Sequence, residues 1–220
     1  MKKVLVIFIL AVVAISGAFA QIEELSVGGG FFINSDLGGS GYTITAPGAG
    51  SLEFDSTHKG FGIFSFIDIF YAEISLGVLW GTLTDKITAP GEIEITNWDL
   101  TSIHFSILGK YPIDMIDFVV FPAIGIEYQS YSEVSYFGYP LNNPGQWSSL
   151  WIRFGGGIDY DINPDIFIRG TLLYGIKLPS DGEKVEFANA QSWASSNGLV
   201  ANQNRAHGIQ IKAAIGYRIW

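Results

Sequence analysis

Apolar and polar residues alternate along this chain with a period of two, in segments too regular to be accidental. Ile209, Ile211, Ala213, Ile215, Tyr217 and Ile219 form one ladder, with Gln210, Lys212, Ala214, Gly216 and Arg218 between them. That is the pattern of a strand whose two faces meet different surroundings. Leu150 to Ile162 repeats it, as do Asp165 to Leu178, Asp99 to Tyr111 and Tyr71 to Thr82. With Leu25–Asn34, Lys59–Ile69, Phe118–Tyr131 and Gly208–Trp220, the pattern predicts eight strands. Two of them are poorly sorted. Phe64 and Phe66 oppose Phe61, Ile63 and Ile67, and Phe118 to Pro122 is apolar on both faces. Either a bulge near Pro122 or a locally apolar interior accounts for these segments.

The connections alternate short and long. Those at residues 69–71, 112–117 and 163–165 are tight, while 35–58, 83–98, 132–149 and 179–207 are long and rich in Gly, Pro, Ser and Asn. Strands of this length with alternating connections predict an all-β fold. The expected form is an eight-stranded antiparallel transmembrane β-barrel with short periplasmic turns and long extracellular loops. The terminal strand then needs a partner to seal its edge, and Leu25–Asn34 is the candidate. Within the long loops, Ile44-Thr45-Ala46-Pro47-Gly48 recurs as Ile87-Thr88-Ala89-Pro90-Gly91, and each Pro-Gly suits a type II turn in a hairpin extension. The segment Ala188 to Asn204 reads as a polar loop.

Pattern alone leaves the sense of the barrel open. A soluble secreted ligand-binding barrel would turn its apolar ladders inward, and a membrane barrel would turn them outward. Aromatic placement favours the membrane. Phe70, Tyr71, Tyr111, Phe118, Tyr160 and Trp220 gather at the short turns. Phe31, Trp80, Trp98, Tyr128, Tyr131, Trp151 and Tyr174 gather at the other end, as two interfacial belts would.

Composition narrows the classes further. The chain is 48% hydrophobic and only 15% charged, yet past residue 20 it holds no run of about 18 apolar residues from which to build a spanning helix. A closed barrel is then the remaining way for so apolar a chain to cross a bilayer. Met1-Lys2-Lys3, the apolar run Val4 to Ile15, and Ala18-Phe19-Ala20 read as a cleaved signal peptide over residues 1–20, leaving a barrel domain over 21–220 and placing the protein in the outer membrane. The net charge of −9 argues against nucleic acid. The absence of cysteine excludes disulfides and Cys-ligated metal, and the scattered His58, His104 and His207 lack ligand spacing, so no cofactor is expected.

Phe154 to Gly170 reads as strand, Asn-Pro-Asp turn, and a returning strand that carries Arg169-Gly170. With the terminal Gly216-Tyr217-Arg218-Ile219-Trp220, it resembles the small eight-stranded outer-membrane barrels, the group containing the OmpA transmembrane domain, OmpX and OmpW. The resemblance covers the whole mature chain and concerns architecture, because this fold hosts pores, anchors, adhesins and enzymes. It implies outer-membrane lipid as surroundings and a C-terminal signal, Tyr217, Ile219 and Trp220, read by the barrel assembly machinery. OmpW-like carriage of a small hydrophobic solute is a further implication.

The ionisable residues opposite the apolar ladders are candidates for a paired lumen network: Glu73, His104, Lys110, Glu127, Arg153, Asp159, Arg169, Lys177, Lys212 and Arg218. The expected protein is non-enzymatic, a structural surface protein or a narrow route for small or hydrophobic solutes. The catalytic alternative rests on Ser106 and His104, a base and nucleophile two residues apart on one strand face. That spacing is similar to the His-x-Ser of outer-membrane lipid A deacylases, although Ile107 stands where they carry Asn.

Overall fold

The computed structural model describes residues 25–46, 48, 50–69, 71–116, 118–136, 139–140 and 144–219. The expected leader, Phe70 and Trp220 lie outside the described residues. Twelve strands form one antiparallel sheet. Eight of them close into a ring: β1 (Leu25–Gly38), β3 (Gly50–Ile69), β4 (Ala72–Ala89), β5 (Glu92–Lys110), β7 (Phe118–Tyr136), β9 (Ser149–Asp161), β10 (Ile166–Leu178) and β12 (His207–Arg218). Ring neighbours are consecutive, and the seam is β1 against β12, from Ser26↔Arg218 to Gly38↔His207. The same β1 pairs β3 on its other side. The barrel has no free edge at the seam, which is what the patterned terminal strand required.

All eight expected strands are present, and their ladders point outward. Ile215 is 61% exposed and Leu172 56%, with Ile63, Leu76, Ile103, Ile124 and Phe154 also exposed, whereas Arg153, Arg169, Glu73 and Glu127 are buried. An apolar outside around a charged inside is the sense of a membrane barrel. Tyr71 and Tyr111 stack 6.1 Å apart at the short-turn end, beside exposed Tyr160 and Tyr217. At the other end Phe31, Phe61 and Trp80 face out. From Tyr71 to Trp80 the wall rises roughly 23 Å at about 3.3 Å per residue and a ~40° tilt, close to the ~25 Å of a bilayer's apolar band. Three expected members of the far belt turn inward instead. Trp151 and Tyr131 are buried in the lumen, and Trp98 donates its Nε1–H to Asp85. Each serves as a polar-tipped filler of the interior, a role that periodicity cannot separate from interfacial placement.

Five ring strands, β1, β3, β4, β5 and β7, run longer than the alternation indicated, each at its long-loop end. β4 and β5 continue as a hairpin to Ala89↔Glu92, turning through Pro90 and Gly91, whose φ is 86°. β2 (Ser40–Ala46) pairs β3 from Ser40↔Ser56 to Ala46↔Gly50, around Gly48 at φ 80°. Both copies of the repeat thus fall at hairpin tips, as expected, where Gly48 and Gly91 supply the positive φ that such turns need. The extensions still alternate, as Ile93 and Ile95 do with Glu92 and Glu94, but they are short and flanked by Gly, Pro, Ser and Thr, which is why they read as loop.

The segment expected as a polar loop contains a helix, α1 (Asp181–Ser196), and β11 (Val200–Asn204), which pairs β2. The helix is specified by its ends. Ser180 Oγ accepts from Glu183 N (3.2 Å) and Ser180 N donates to Glu183 Oε2 (2.7 Å), a complete capping box. At the far end Leu199 N bonds Ala194 O and Gly198, at φ 69°, bonds Ser195 O, a Schellman close. The two smallest strands, β6 (Ile113–Asp114) and β8 (Tyr139–Pro140), pair β7.

Pro122 causes no irregularity, since the ladder runs through Phe121↔Gly157 and Pro122↔Gly156. The register shifts lie elsewhere: β7 places two residues opposite one at Thr101/Ser102, and β1 shifts between Asp36 and Gly38. The second expectation for the poorly sorted strands, an apolar interior, is the one realised. Phe32, Phe64, Phe66 and Phe167 form a buried cluster.

The outward ladder generates a depth-dependent prediction. Leu172→Arg, at the middle of β10, costs about 2–4 kcal/mol in urea unfolding from lipid vesicles. Ile93→Arg, on the hairpin above the apolar band, costs less than about 0.5 kcal/mol in the same measurement.

Candidate functional site: the filled lumen

Inward side chains assemble into two ionic clusters and a cap. The first lies toward the short turns around Arg169. Its Nε and Nη2 donate to the two oxygens of Asp159 (2.7 and 2.6 Å), the side-by-side geometry that guanidinium and carboxylate favour. Nη1 meets Asp68 at 2.7 Å and Glu73 at 2.8 Å. Lys110 lies 2.6 Å from Asp68 and 3.6 Å from Glu73, and Lys212 lies 3.6 Å from Glu73. Arg169, Lys110 and Lys212 therefore face Asp68, Glu73 and Asp159, and the cluster is neutral overall.

Aromatic rings complete this cluster. The Arg169 guanidinium sits 4.8 to 5.2 Å from the rings of Phe66, Phe121 and Phe167. Lys110 is 5.0 Å from Phe121, and Lys212 is 5.1 Å from Phe64. Phe64, Phe66 and Phe121 are the residues that spoiled the alternation of their strands, while Phe167 sits on the polar face of a regular one. They occupy the polar face because a ring offers a buried cation its negative face while excluding water. Glycines make room for them. A Cβ on Gly28, Gly157 or Gly216 would overlap Phe66, Phe121 or Phe167 respectively. The glycine runs at 28–30 and 155–157 thus work by close packing.

The second cluster is built on Arg153, which bonds Glu127 Oε1 at 2.7 Å and Asn34 Oδ1 at 3.1 Å and stacks 4.4 Å over Trp151. Gln210 donates to Glu127 Oε2 at 2.8 Å. His58 lies between Asn34 and Gln129, at 3.2 and 3.3 Å, and Trp151 donates to Gln129. The mouth above is closed by α1. Lys177 bonds Glu183 at 2.7 Å and Ser40 at 3.4 Å, and the Trp147 ring lies over Gly182. Burial by itself would raise the Glu183 carboxyl. The Lys177 ammonium, with Ser40 and the Ser180 backbone, overrides it and holds the group below its ordinary range.

Of the expected network, Glu73, Lys110, Asp159, Arg169 and Lys212 meet in the first cluster, His104, Glu127 and Arg153 in the second, and Lys177 in the cap. Arg218 belongs to none of them. It is half-exposed at the short-turn rim, 2.7 Å from Asp161, because its strand ends there. Ser106 and His104 share the lumen face but do not meet. Ser106 Oγ bonds Ser75 Oγ at 2.6 Å, while His104 Nε2 bonds Ser102 Oγ at 2.9 Å and its Nδ1 stands 3.3 Å from Glu127. The space beside His104 and Ser106 is about 10 Å³, room for one water. Tyr217 and Ile219 share the outward ladder, and Ile219 N bonds Leu25 O across the seam.

Sequence reasoning missed Asp68, Asn34, His58, Gln129 and Gln210. Asp68 sat on a strand whose alternation the phenylalanines obscured. Gln129, two after Glu127, and Gln210, two before Lys212, are in phase with expected lumen residues, so phase was the available signal for them, whereas β1 and β3 carried no expected lumen residue to mark Asn34 and His58. Among the described residues no group of three or more acidic or histidine ligands is placed to hold a metal.

A closed eight-stranded ring, apolar outside and ionic within, defines the class of fold as that of an outer-membrane β-barrel. No family model matches the chain and no curated protein matches it. Among solved structures, the outer membrane protein OprG from Pseudomonas aeruginosa is similar to it, with a TM-score of 0.51 at 12% identity over 89% of this chain and 95% of that one. The shared property is the fold of a small eight-stranded outer-membrane barrel.

Two predictions follow from the clusters. Arg153→Leu strands Glu127 without its cation and lowers unfolding free energy by about 3–5 kcal/mol, while Arg153→Leu with Glu127→Leu recovers most of it. Because the Glu183 carboxyl is held low, its contribution is complete above its ordinary value of 4.5 and is lost as pH falls below it. Hydrogen exchange of the α1 amides should accelerate through that acid range, and Glu183→Gln should abolish that acid-dependent change.

Proposed function

We propose that this chain is an integral outer-membrane protein that acts without catalysis as a structural surface protein. Its short turns face the periplasm, and the β2–β3 and β4–β5 hairpins with α1 stand outside the cell. The observation that carries the reading is the filled lumen. Paired charges and phenylalanines occupy the space between the walls, and the gap beside Phe32, Phe64, Ser75 and His104 is about 10 Å³. A solute path needs continuous volume, and a barrel of eight strands has little to spare once its side chains are inside.

The narrow-carrier reading would need the aromatic cluster to part. Phe32, Phe64, Phe66 and Phe167 are packed and buried, which favours a filler role over a solute tunnel. The hydrolase reading fits the geometry less well, since Ser106 bonds Ser75 and Ser102 is fully buried, so neither hydroxyl is open to a lipid ester. Delivery by the leader and recognition of Tyr217, Ile219 and Trp220 by the assembly machinery complete the proposal.

The protein is expected to require detergent for extraction, and the unboiled band on a gel should migrate differently from the boiled one. In planar bilayers the folded protein should give no steady conductance at neutral pH. Sustained single-channel current from the unmodified protein would replace the structural reading with a pore.

A further inference from the structure

A cleft crosses the barrel rim at the short-turn end. The lumen opens there into a vestibule of about 540 Å³, with the Arg169 cluster as its floor and Tyr71, Pro112 and Arg218 at its mouth. A second cavity of about 360 Å³ adjoins it, and both are lined by Asp114, Val119 and Asp161. The rest of the second lining is apolar: Met115, Ile116, Phe118 and Tyr160. Along their strands Val119 and Asp161 are in phase with lumen residues, whereas Phe118 and Tyr160 are in phase with the outward ladder. The cleft therefore leads from a polar chamber, over the rim, to the apolar outer wall.

The knuckle that shapes it is unusual for a short turn. The 163–165 turn solves the same problem with polar residues, Asn163 Oδ1 accepting from Asp165 N and Ile166 N. The β5–β7 connection instead displays Ile113, Met115 and a fully exposed Ile116 beside Tyr111. Apolar side chains so placed mark an interaction surface, and their continuity with the outer belt names its occupant as lipid. Charge selects the head group. Asp159 and Asp161 are paired with Arg169 and Arg218, and Lys110 with Asp68. Asp114 has no ion-pair partner among the described residues, so among the described lining residues it is the carboxylate left to offer a cation.

Building on the membrane reading, we infer that this cleft binds a phospholipid with an amine head group. Its ammonium lies against Asp114, and its acyl chains run over Met115, Ile116, Phe118 and Tyr160 to the belt. Each cavity has the size of a small-molecule site, which spans about 300–1,000 Å³.

The test is native mass spectrometry of the folded, detergent-purified protein offered equal phosphatidylethanolamine and phosphatidylglycerol. The unmodified protein should retain phosphatidylethanolamine preferentially. Asp114→Asn should cut that preference about threefold, the scale of one partly exposed ion pair. Met115→Ser with Ile116→Ser should weaken retention of both lipids, and Asp181→Asn, at the capped end, should change neither. Equal retention of the two lipids, or a preference that survives Asp114→Asn, would overturn the site. Heat-modifiable migration of each variant shows that the barrel is intact. A chain soluble without detergent would defeat the membrane reading itself, which separates the two failures.

Discussion

Arg169 gathers the constraint on which this structure depends. A wall that is apolar on its outer face leaves the polar half of every strand inside, and a charge sealed there must be neutralised by its neighbours. Three carboxylates meet the Arg169 guanidinium and three phenyl rings surround it. Those six partners come from β3, β4, β7, β9 and β10, so one cation ties together strands on different sides of the ring. Breaking such an arrangement strands buried charge, and this gives the closed barrel a defined interior.

The same constraint explains why the interior is crowded. Phenylalanines replace water around Arg169, Lys110 and Lys212, and glycines across the ladder give up their side chains to admit them. Farther along, Asn34, His58, Gln129 and Gln210 extend the Arg153–Glu127 pair as neutral donors and acceptors. The cap continues this logic above the wall. Glu183 both closes the helix box and meets Lys177, so the fold of α1 and the closing of the mouth share one carboxylate.

Much of this was legible in the residue order. The eight strands, the seam, the tight turn at Asn163 and the two Pro-Gly hairpin tips all follow from period and turn chemistry. So did nine of the ten candidate lumen residues, because ionisable side chains opposite an apolar ladder have only the inner face to occupy. Arg218 escaped the rule, since phase says nothing of height along the strand. Ser180-x-x-Glu183 was a readable capping box, obscured by the polar composition around it. Trp98, Tyr131 and Trp151 were misplaced in the far belt because an amphipathic ring suits an interface and a wet interior equally.

The sequence by itself determined the alternation, the number of strands in the ring, and which residues share a face, since a period of two is a local property of the backbone. Only the tertiary structure decided which face looks outward, which acid meets which base, and that Ser106 pairs with Ser75 while His104 turns to Ser102. Those outcomes depend on register and curvature around a closed ring, where residues as distant in the chain as Asn34 and Arg153 come within 3.1 Å. No local pattern carries that information, because closure is a relation among all the strands at once.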